Sequence, residues 1–516
     1  MRFLHPSREH TLTSAAVLLM VATLLSRLVG YLRDAYVAYA FGAGPLTDAY
    51  IAAFTLPDFL LYLFAGGSIS VTFISLLTRY QAEGCEEEAS RAFSVIVTVM
   101  VVAFCVAVAI GEVFTPQFVR VWFPGFTPAQ SDLCIKLTRI LLPQPVFFLI
   151  GGVVSAAQQT NRQFLIPALA PIVYTVFIIL GGVLFSRQIG IASLAVGATA
   201  GALAGPFLLN AIGAAQAGIR YRFNFSPRHP VFREWLWMSL PLMLGVSVVA
   251  ADDWILRIFA SSSVGDITRL NYAKRLLQVP IGVLGQAVGL ASLPFFARLY
   301  NENKHEEFAR SVNNSVHRLG AICLLATSWM MVTAYPITNI AFQRGRFSSA
   351  DTTVTAFFFL CFAPSLIFWA VQGLYARAFY AAADMIRPMA AGTLITLLSV
   401  PVYWSMHNQI GTAGLVVASN LAIFTHTAVL AIMLHHRGMV SLAGLNWKEL
   451  GKALLAGVVA YLAAALIGNA FPFTVSRISA LANLGMVTIT WLGAAAAMLW
   501  LLKSELPGLL GRKLKS

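Results

Sequence analysis

Arg27, Arg33, Asp34 and Asp48 fall within SRLVGYLRDAYVAYAFGAGPLTDAY (26–50), a stretch otherwise built almost wholly from apolar and small residues. A second set, Asp252, Asp253, Arg257, Arg269, Lys274 and Arg275, is spread over a similarly apolar region. A guanidinium stays charged at any physiological pH and presents forked donors that match phosphate oxygens. Arginines gathered in an apolar setting therefore suit recognition of a large anion, and the aspartates suit pairing with them or holding a proton or cation. Bond-breaking chemistry has no comparable support. No G-x-x-x-x-G-K-[ST], H-E-x-x-H or G-x-S-x-G motif occurs, so no catalytic residue is assigned. The five cysteines (Cys85, Cys105, Cys134, Cys323, Cys361) are odd in number and lack metal-ligand spacing, which leaves neither a disulfide framework nor a metal site. No cofactor is implied.

Those charges need elements to carry them. Of the 516 residues 58% are hydrophobic and 11% charged, against about 25% charged in soluble domains. The chain reads as an all-α polytopic membrane protein. The net charge of +14 does not point to nucleic acid, because the cations are scattered singly between apolar blocks of roughly 20 residues. Helices are expected at about 11–41, 46–78, 90–113, 137–160, 165–186, 190–216, 232–260, 264–299, 314–335, 350–381, 386–405, 411–435, 449–470 and 478–502, which makes about fourteen spans. Arg2 and Arg8 before an apolar run resemble a signal peptide, but Arg27 stands where a small-residue cleavage site belongs, so the segment reads as the first helix. With both termini in the cytoplasm, most of the 35 lysines and arginines fall on inner loops and tails, and few, such as Arg120, Lys136 and Arg346, on outer ones.

An internal repeat organises these spans. RYQAEGCEEEASR (79–91) aligns without gaps with RLYNENKHEEFAR (298–310), and NRQFLIPALAP (161–171) echoes DMIRPMAAG (384–392) through Pro167 and Pro388. The similar offsets predict a duplicated six-helix unit, with lobes at 1–220 and 221–440 and two appended helices in 441–516. Six helices per unit make the repeat parallel, and two such lobes enclose a central cavity.

An ionised side chain facing lipid costs about 2.5–3.5 kcal/mol or more at the bilayer centre, so the charged set must face protein or a wet cavity. By helix rise, Arg33 lies roughly 12 Å from the outer end of its helix, Asp253 about as far from the outer end of its own, and Arg275 roughly 16 Å in. Asp48 opens the next helix on that side, and Arg27 sits nearer the middle. A diphosphate carried on a lipid is the ligand that such a cation-rich outer half suits. Asp253 and Arg257, at i and i+4, are placed to neutralise each other, which leaves Asp252 without a local partner, either to bind a proton or cation or to pair across helices. Gly30 follows Ser26 at the spacing of close helix packing, and FGAG (41–44) reads as a turn.

SRLVGYLRDAYVAYAFGAGPLTDAYIAAFTLPDFL (26–60), YAKRLLQVPIGVLGQAVGLASLP (272–294) and FQRGRFSSAD (342–351) together resemble the signatures of the MurJ (MviN) family of lipid II flippases, and the similarity runs in order over essentially the whole chain. The resemblance implies the fold of the multidrug/oligosaccharidyl-lipid/polysaccharide exporters: two six-helix lobes around a central cavity plus two C-terminal helices forming a groove for a polyprenyl tail. It implies a transporter that moves the undecaprenyl-diphosphate-linked peptidoglycan precursor across the bacterial inner membrane by alternating access. It carries Arg27, Arg33, Asp48 and Arg275 onto positions essential in the family, and Ser26, Asp34 and Asn161 onto cavity positions. Membrane lipids and the cell-wall synthesis machinery are the implied partners, and membrane potential or a monovalent cation, with Asp252 and Asp253 as candidate coupling residues, the implied drive.

Two departures stand out. Family members commonly carry a second basic residue after LP in helix 2; here LPDFLLYLFAGG places Leu61 and Tyr62 there, and Gly66 where an acid is frequent. In helix 8, Lys274 stands where an acid often precedes the arginine, and Gln278 replaces another acid. Lys274 is thus expected to restore the missing cation to the substrate site. The competing readings are an exporter of another lipid-linked glycan, a drug or cation antiporter of the same superfamily, which should have acid-dominated cavities, and a membrane enzyme acting on polyprenyl phosphates, which needs a clustered acid, histidine or metal constellation that the sequence lacks.

Overall fold

The computed structural model describes residues 12–65, 86–216, 221–244, 248–470 and 477–508. The first echo segment up to Cys85, Gly66 and the terminal cations lie outside them. Among the described residues the secondary structure is helical throughout, without strands. Inside a bilayer no water satisfies exposed N–H and C=O groups, and a helix meets them from within its own segment. Among the described residues ten helices are long and apolar enough to cross a membrane, or eleven if the bent pair Ser349–Phe362 and Ser365–Ala381 counts as one span. Every expected segment is at least partly helical. The ten do not include Leu12–Phe41 (30 residues) or Asp266–Asn301 (36 residues), which carry the charged residues of interest.

Several boundaries differ from the sequence reading. TPAQSD looks like loop, yet it is a helix start, whereas the helix expected from about 350 opens at Ser349; Thr127 accepts from the Gln130 N–H and Ser348 from the Asp351 N–H, with the Gln130 and Asp351 side chains accepting in return. Such capping boxes satisfy the orphan donors of a first turn. The spans therefore open at Pro128 and Ser349 and break once, giving Pro128–Leu141 with Gln144–Thr160 and Ser349–Phe362 with Ser365–Ala381. Pro143 and Pro364 sit at the breaks, where the missing N–H leaves carbonyls unserved. The Thr199 hydroxyl donates to the Ile140 carbonyl (2.6 Å) and the Asn420 amide to that of Cys361 (2.7 Å). Within the expected helix 232–260 the described residues are helical over Pro230–Leu244 and Val248–Ala260.

These matches repeat at a constant spacing of 221 positions. Thr127 pairs with Ser348, Ile140 with Cys361 and Thr199 with Asn420. The left-handed Arg162 and Ala383 share φ 56, and Gly190 and Gly411 have φ 59 and 64. With ψ of −139 and −147, the two glycines occupy a region that only glycine reaches without strain.

The chain divides into two compact units, Met1–Gly245 and Val246–Ser516. The core of the first gathers Phe93, Ile96, Phe104, Leu149 and Trp235, so the Pro230–Leu244 helix packs with this unit through its fully buried indole. A glycine ladder brings its helices together. A Cβ on Gly197, Gly201 or Gly205 would lie 2.6, 2.6 or 2.4 Å from the carbonyl oxygens of Phe177, Tyr174 and Ala170. Small residues every fourth position allow this approach. Gly30, expected to pack closely, has nothing within 4 Å of its would-be Cβ. Gly42, with φ 71, makes the expected turn at 42–44. In the second unit, Trp447–Ala470 packs along His305–Val332 and against Arg477–Leu501, around Ala321, Ala453, Ala456 and Leu499.

Replacing Gly201 by leucine should therefore force the Leu165–Ile189 and Ala192–Ala202 helices apart and cost about 1–3 kcal/mol or more, whereas Gly152→Ala, with nothing within 4 Å, should be neutral or slightly stabilising. Thermal unfolding of both variants in detergent checks the contrast.

Candidate functional site

In the first unit the charged residues are held by Leu12–Phe41 and the short helix that follows it. The Tyr36 ring lies where Gly182 has no side chain, a Cβ there falling 2.5 Å from the ring, and this contact seats Leu12–Phe41 on Leu165–Ile189. One turn earlier, Arg33 donates through Nε (2.9 Å) and Nη2 (2.7 Å) to the same Asp34 oxygen. The pair is half-buried, at 20% and 14% side-chain exposure, with Tyr50 and Tyr174 in electrostatic reach of the guanidinium. The remaining Nη1 edge of Arg33 makes no hydrogen bond among the described residues. Asp48 is buried, in the first turn of Pro45–Ala53, where the helix dipole favours a carboxylate. Arg27 is exposed and forms no ion pair among the described residues, and Ser26 beside it is half-buried. Asn161 is placed elsewhere. It caps Gln144–Thr160, while the preceding Pro128–Leu141 is the helix that packs on Pro45–Ala53; from Leu141 to Asn161 is roughly 30 Å of helix rise.

In the second unit three helices meet on one buried acid. Asp252, 2% exposed, lies on Val248–Ala260 and accepts from Lys274 of Asp266–Asn301 through one oxygen and from the Tyr403 hydroxyl of Ile386–Ile410 through the other. Lys274 also donates to Asp253 at 2.5 Å. Of the two expectations for Asp252, a bound proton or cation and a pairing across helices, the structure shows the cross-helix pairing: Lys274 bridges both aspartates, because the helix crossing brings its ammonium between two adjacent carboxylates. Its charge is accordingly taken up by these acids. Arg257 remains in electrostatic reach of Asp253. Arg275, the next residue, is exposed, stays in electrostatic reach of Asp253, and donates to the Gln278 side chain at 3.3 Å. A cavity of about 30 Å³, the size of one water, lies among Asp253, Arg257, Asn271, Arg275 and Gln278.

Arg269 has a structural part. It joins Asp266 (2.9 Å) to Asp351 (2.7 Å), and Thr412 donates to Asp266 at 2.5 Å, so Arg269 and Asp266 together tie three helix starts. It stands 221 positions after Asp48, an acid at the matching place of the first unit. Sequence reasoning missed Tyr403, whose only signal is a hydroxyl in the apolar run TLLSVPVYW. Among the described residues no group of three or more His, Cys, Asp or Glu is placed to hold a metal ion.

The charged clusters, the repeat and the helix set can now be placed among known proteins. The sequence model of the family "Lipid II flippase MurJ" matches residues 37–483. The chain belongs to the MurJ family. A probable lipid II flippase MurJ of Rickettsia prowazekii is 26% identical over 81% of this chain and 83% of its own length, and the lipid II flippase MurJ of Burkholderia cenocepacia 27% identical over 81% and 82%. A solved lipid II flippase MurJ in an inward closed conformation superposes with a TM-score of 0.79 at 22% identity, over 94% of this chain and 99% of that one. An inward-facing multidrug resistance transporter of the MATE family, in the MOP superfamily, gives 0.66 at 14% identity over 82% and 98%. The fold is thus that of the MurJ and MATE transporters, a multi-pass membrane architecture. Within this MurJ-family chain, Leu61 and Tyr62, at the place of the absent second cation, lie half-buried on Thr55–Ala65.

Tyr403→Phe should leave one oxygen of the buried Asp252 without its phenol donor and cost about 1–3 kcal/mol of stability. Detergent unfolding of the variant, with Tyr380→Phe at an exposed site as control, measures the difference.

Proposed function

We propose that this chain moves the undecaprenyl-diphosphate-linked peptidoglycan precursor, lipid II, from the inner to the outer leaflet of the bacterial cytoplasmic membrane by alternating access. The observation that carries this reading is the MurJ-family match along most of the chain. The half-buried Arg33, with donors left over from its bond to Asp34, supports it chemically, because a forked guanidinium in a low-dielectric setting binds phosphate oxygens strongly. We assign Arg27, Arg33 and Arg275 to the diphosphate. Asp48, Asp34 and Ser26 shape the arginine surroundings, and Asn161 contacts the substrate at another stage. Lys274 acts on the substrate only through the acids that hold it.

In this reading both termini are cytoplasmic, the lobes span 1–220 and 221–440, and the helices of 441–516 accompany the lipid tail. The cell-wall synthesis machinery is the natural consumer of the product. Moving a net charge across the membrane couples to potential at about 2.3 kcal/mol per charge per 100 mV, so the cycle can be biased without a nucleotide; a monovalent cation is the other candidate drive. Another lipid-linked glycan with the same diphosphate would use the same cations.

The test is outer-face accessibility of lipid II to an impermeant reagent in cells depleted of their own flippase. The native chain should restore accessibility, while Arg33→Ala and Arg275→Ala, inserted at normal levels, should lower it about ten- to hundredfold, the equivalent of a charged hydrogen bond worth about 1.5–3 kcal/mol. Restoration by neither native chain nor variants would reassign the substrate to a different lipid-linked glycan.

A further inference from the structure

Two adjacent carboxylates inside a membrane protein must be neutralised by a proton, a dissociable cation or a cation of the chain. Here both oxygens of Asp252 receive donors, the Lys274 ammonium on one side and the Tyr403 hydroxyl on the other, and the same ammonium reaches Asp253. Side-chain exposure falls from 41% at Asp253 to 10% at Lys274 and 1% at Asp252, so the ammonium closes the inner acid off from the small cavity. A bound metal cation needs oxygen lone pairs on all sides, and the centre of this cluster is instead an N–H donor.

We propose that Lys274 is the resident cation of the second unit: its ammonium fills the place between Asp252 and Asp253 that a dissociable monovalent cation would take, so that the carrier binds no coupling ion at these acids. The inference is independent of which lipid-linked substrate is moved. It assigns Lys274 a positioning part as well, since the anchored lysine fixes the rotation of Asp266–Asn301 that sets the neighbouring Arg275 at the cavity. Arg257 and Arg275 also face Asp253 across the cavity, whereas the deeper Asp252 is held by Lys274 and Tyr403. Without the ammonium, Asp252, Asp253, the Tyr403 oxygen and the Asn271 side chain would form an oxygen-lined pocket with one uncompensated negative charge.

The experiment is thermal unfolding of the purified full-length chain in detergent with 100 mM sodium, lithium, potassium or choline chloride at constant ionic strength. The native protein should unfold at the same temperature in all four. Lys274→Met should unfold lower in choline and be raised by about 3 °C or more in at least one of the small cations. A native protein with its own cation-specific shift overturns the proposal, as does a Lys274→Met variant that is as stable as native and indifferent to the salt. If Lys274→Met does not fold in any salt, Lys274→Met/Asp252→Asn/Asp253→Asn decides: recovery of the folded chain supports the counter-charge, and failure shows that the lysine is needed for packing and overturns it.

Discussion

Everything polar within the bilayer must find its partner inside the protein, and this constraint shapes the structure from backbone to side chain. It makes the described residues helical, and it explains how helices can break within a span. Where Pro143 and Pro364 interrupt the ladder, Thr199 and Asn420 reach across from a neighbouring helix to the carbonyls of Ile140 and Cys361. The same rule places the charges. Asp252 is tolerated because two donors reach it, and Arg33 because Asp34 lies beside it.

The two units show how one backbone plan can carry opposite electrostatics. Among the described residues the first leaves guanidinium donors of Arg33 without a hydrogen bond and an exposed cation at Arg27, whereas the second bonds its buried lysine to aspartates and exposes the adjacent Arg275. Asp48 in one unit answers to Arg269 in the other, which is consumed by Asp266 and Asp351. A charge count along the sequence treats all these cations alike. Their division into those that hold helices together and those that face outward depends on helix rotation and crossing.

That division marks the limit of what the sequence discloses. Apolar length and the scatter of cations reveal a multi-pass helical protein, and the family signatures reveal its kin. The helix start at Pro128 was hidden because capping residues are polar and read as loop, although the spacing of Thr127 to Gln130 is a local signal. The partner of Lys274 was not legible, since an i, i+4 pairing of Asp253 with Arg257 is the nearest solution in one dimension and the tertiary crossing supplies a different one. Tyr403 lies more than a hundred residues from the acid it serves. The glycine ladder at 197, 201 and 205 was visible as a pattern, but so was Gly30, and only the neighbouring carbonyls tell a contact from a coincidence.

The unbroken spacing between the halves has a consequence for how such a chain can change. From Thr127 to Thr199, and again from Ser348 to Asn420, caps, breaks, left-handed turns and cross-helix bonds recur in step although few side chains agree. A single residue inserted within a helix of either block would rotate the side chains that follow it in that helix by about 100° and, in the helices of Thr199 or Asn420, detach the donors that serve the broken ladders. Divergence between the copies has therefore been free in chemistry and locked in length, so that new specificity is reached by exchanging side chains at fixed addresses and not by remodelling the frame.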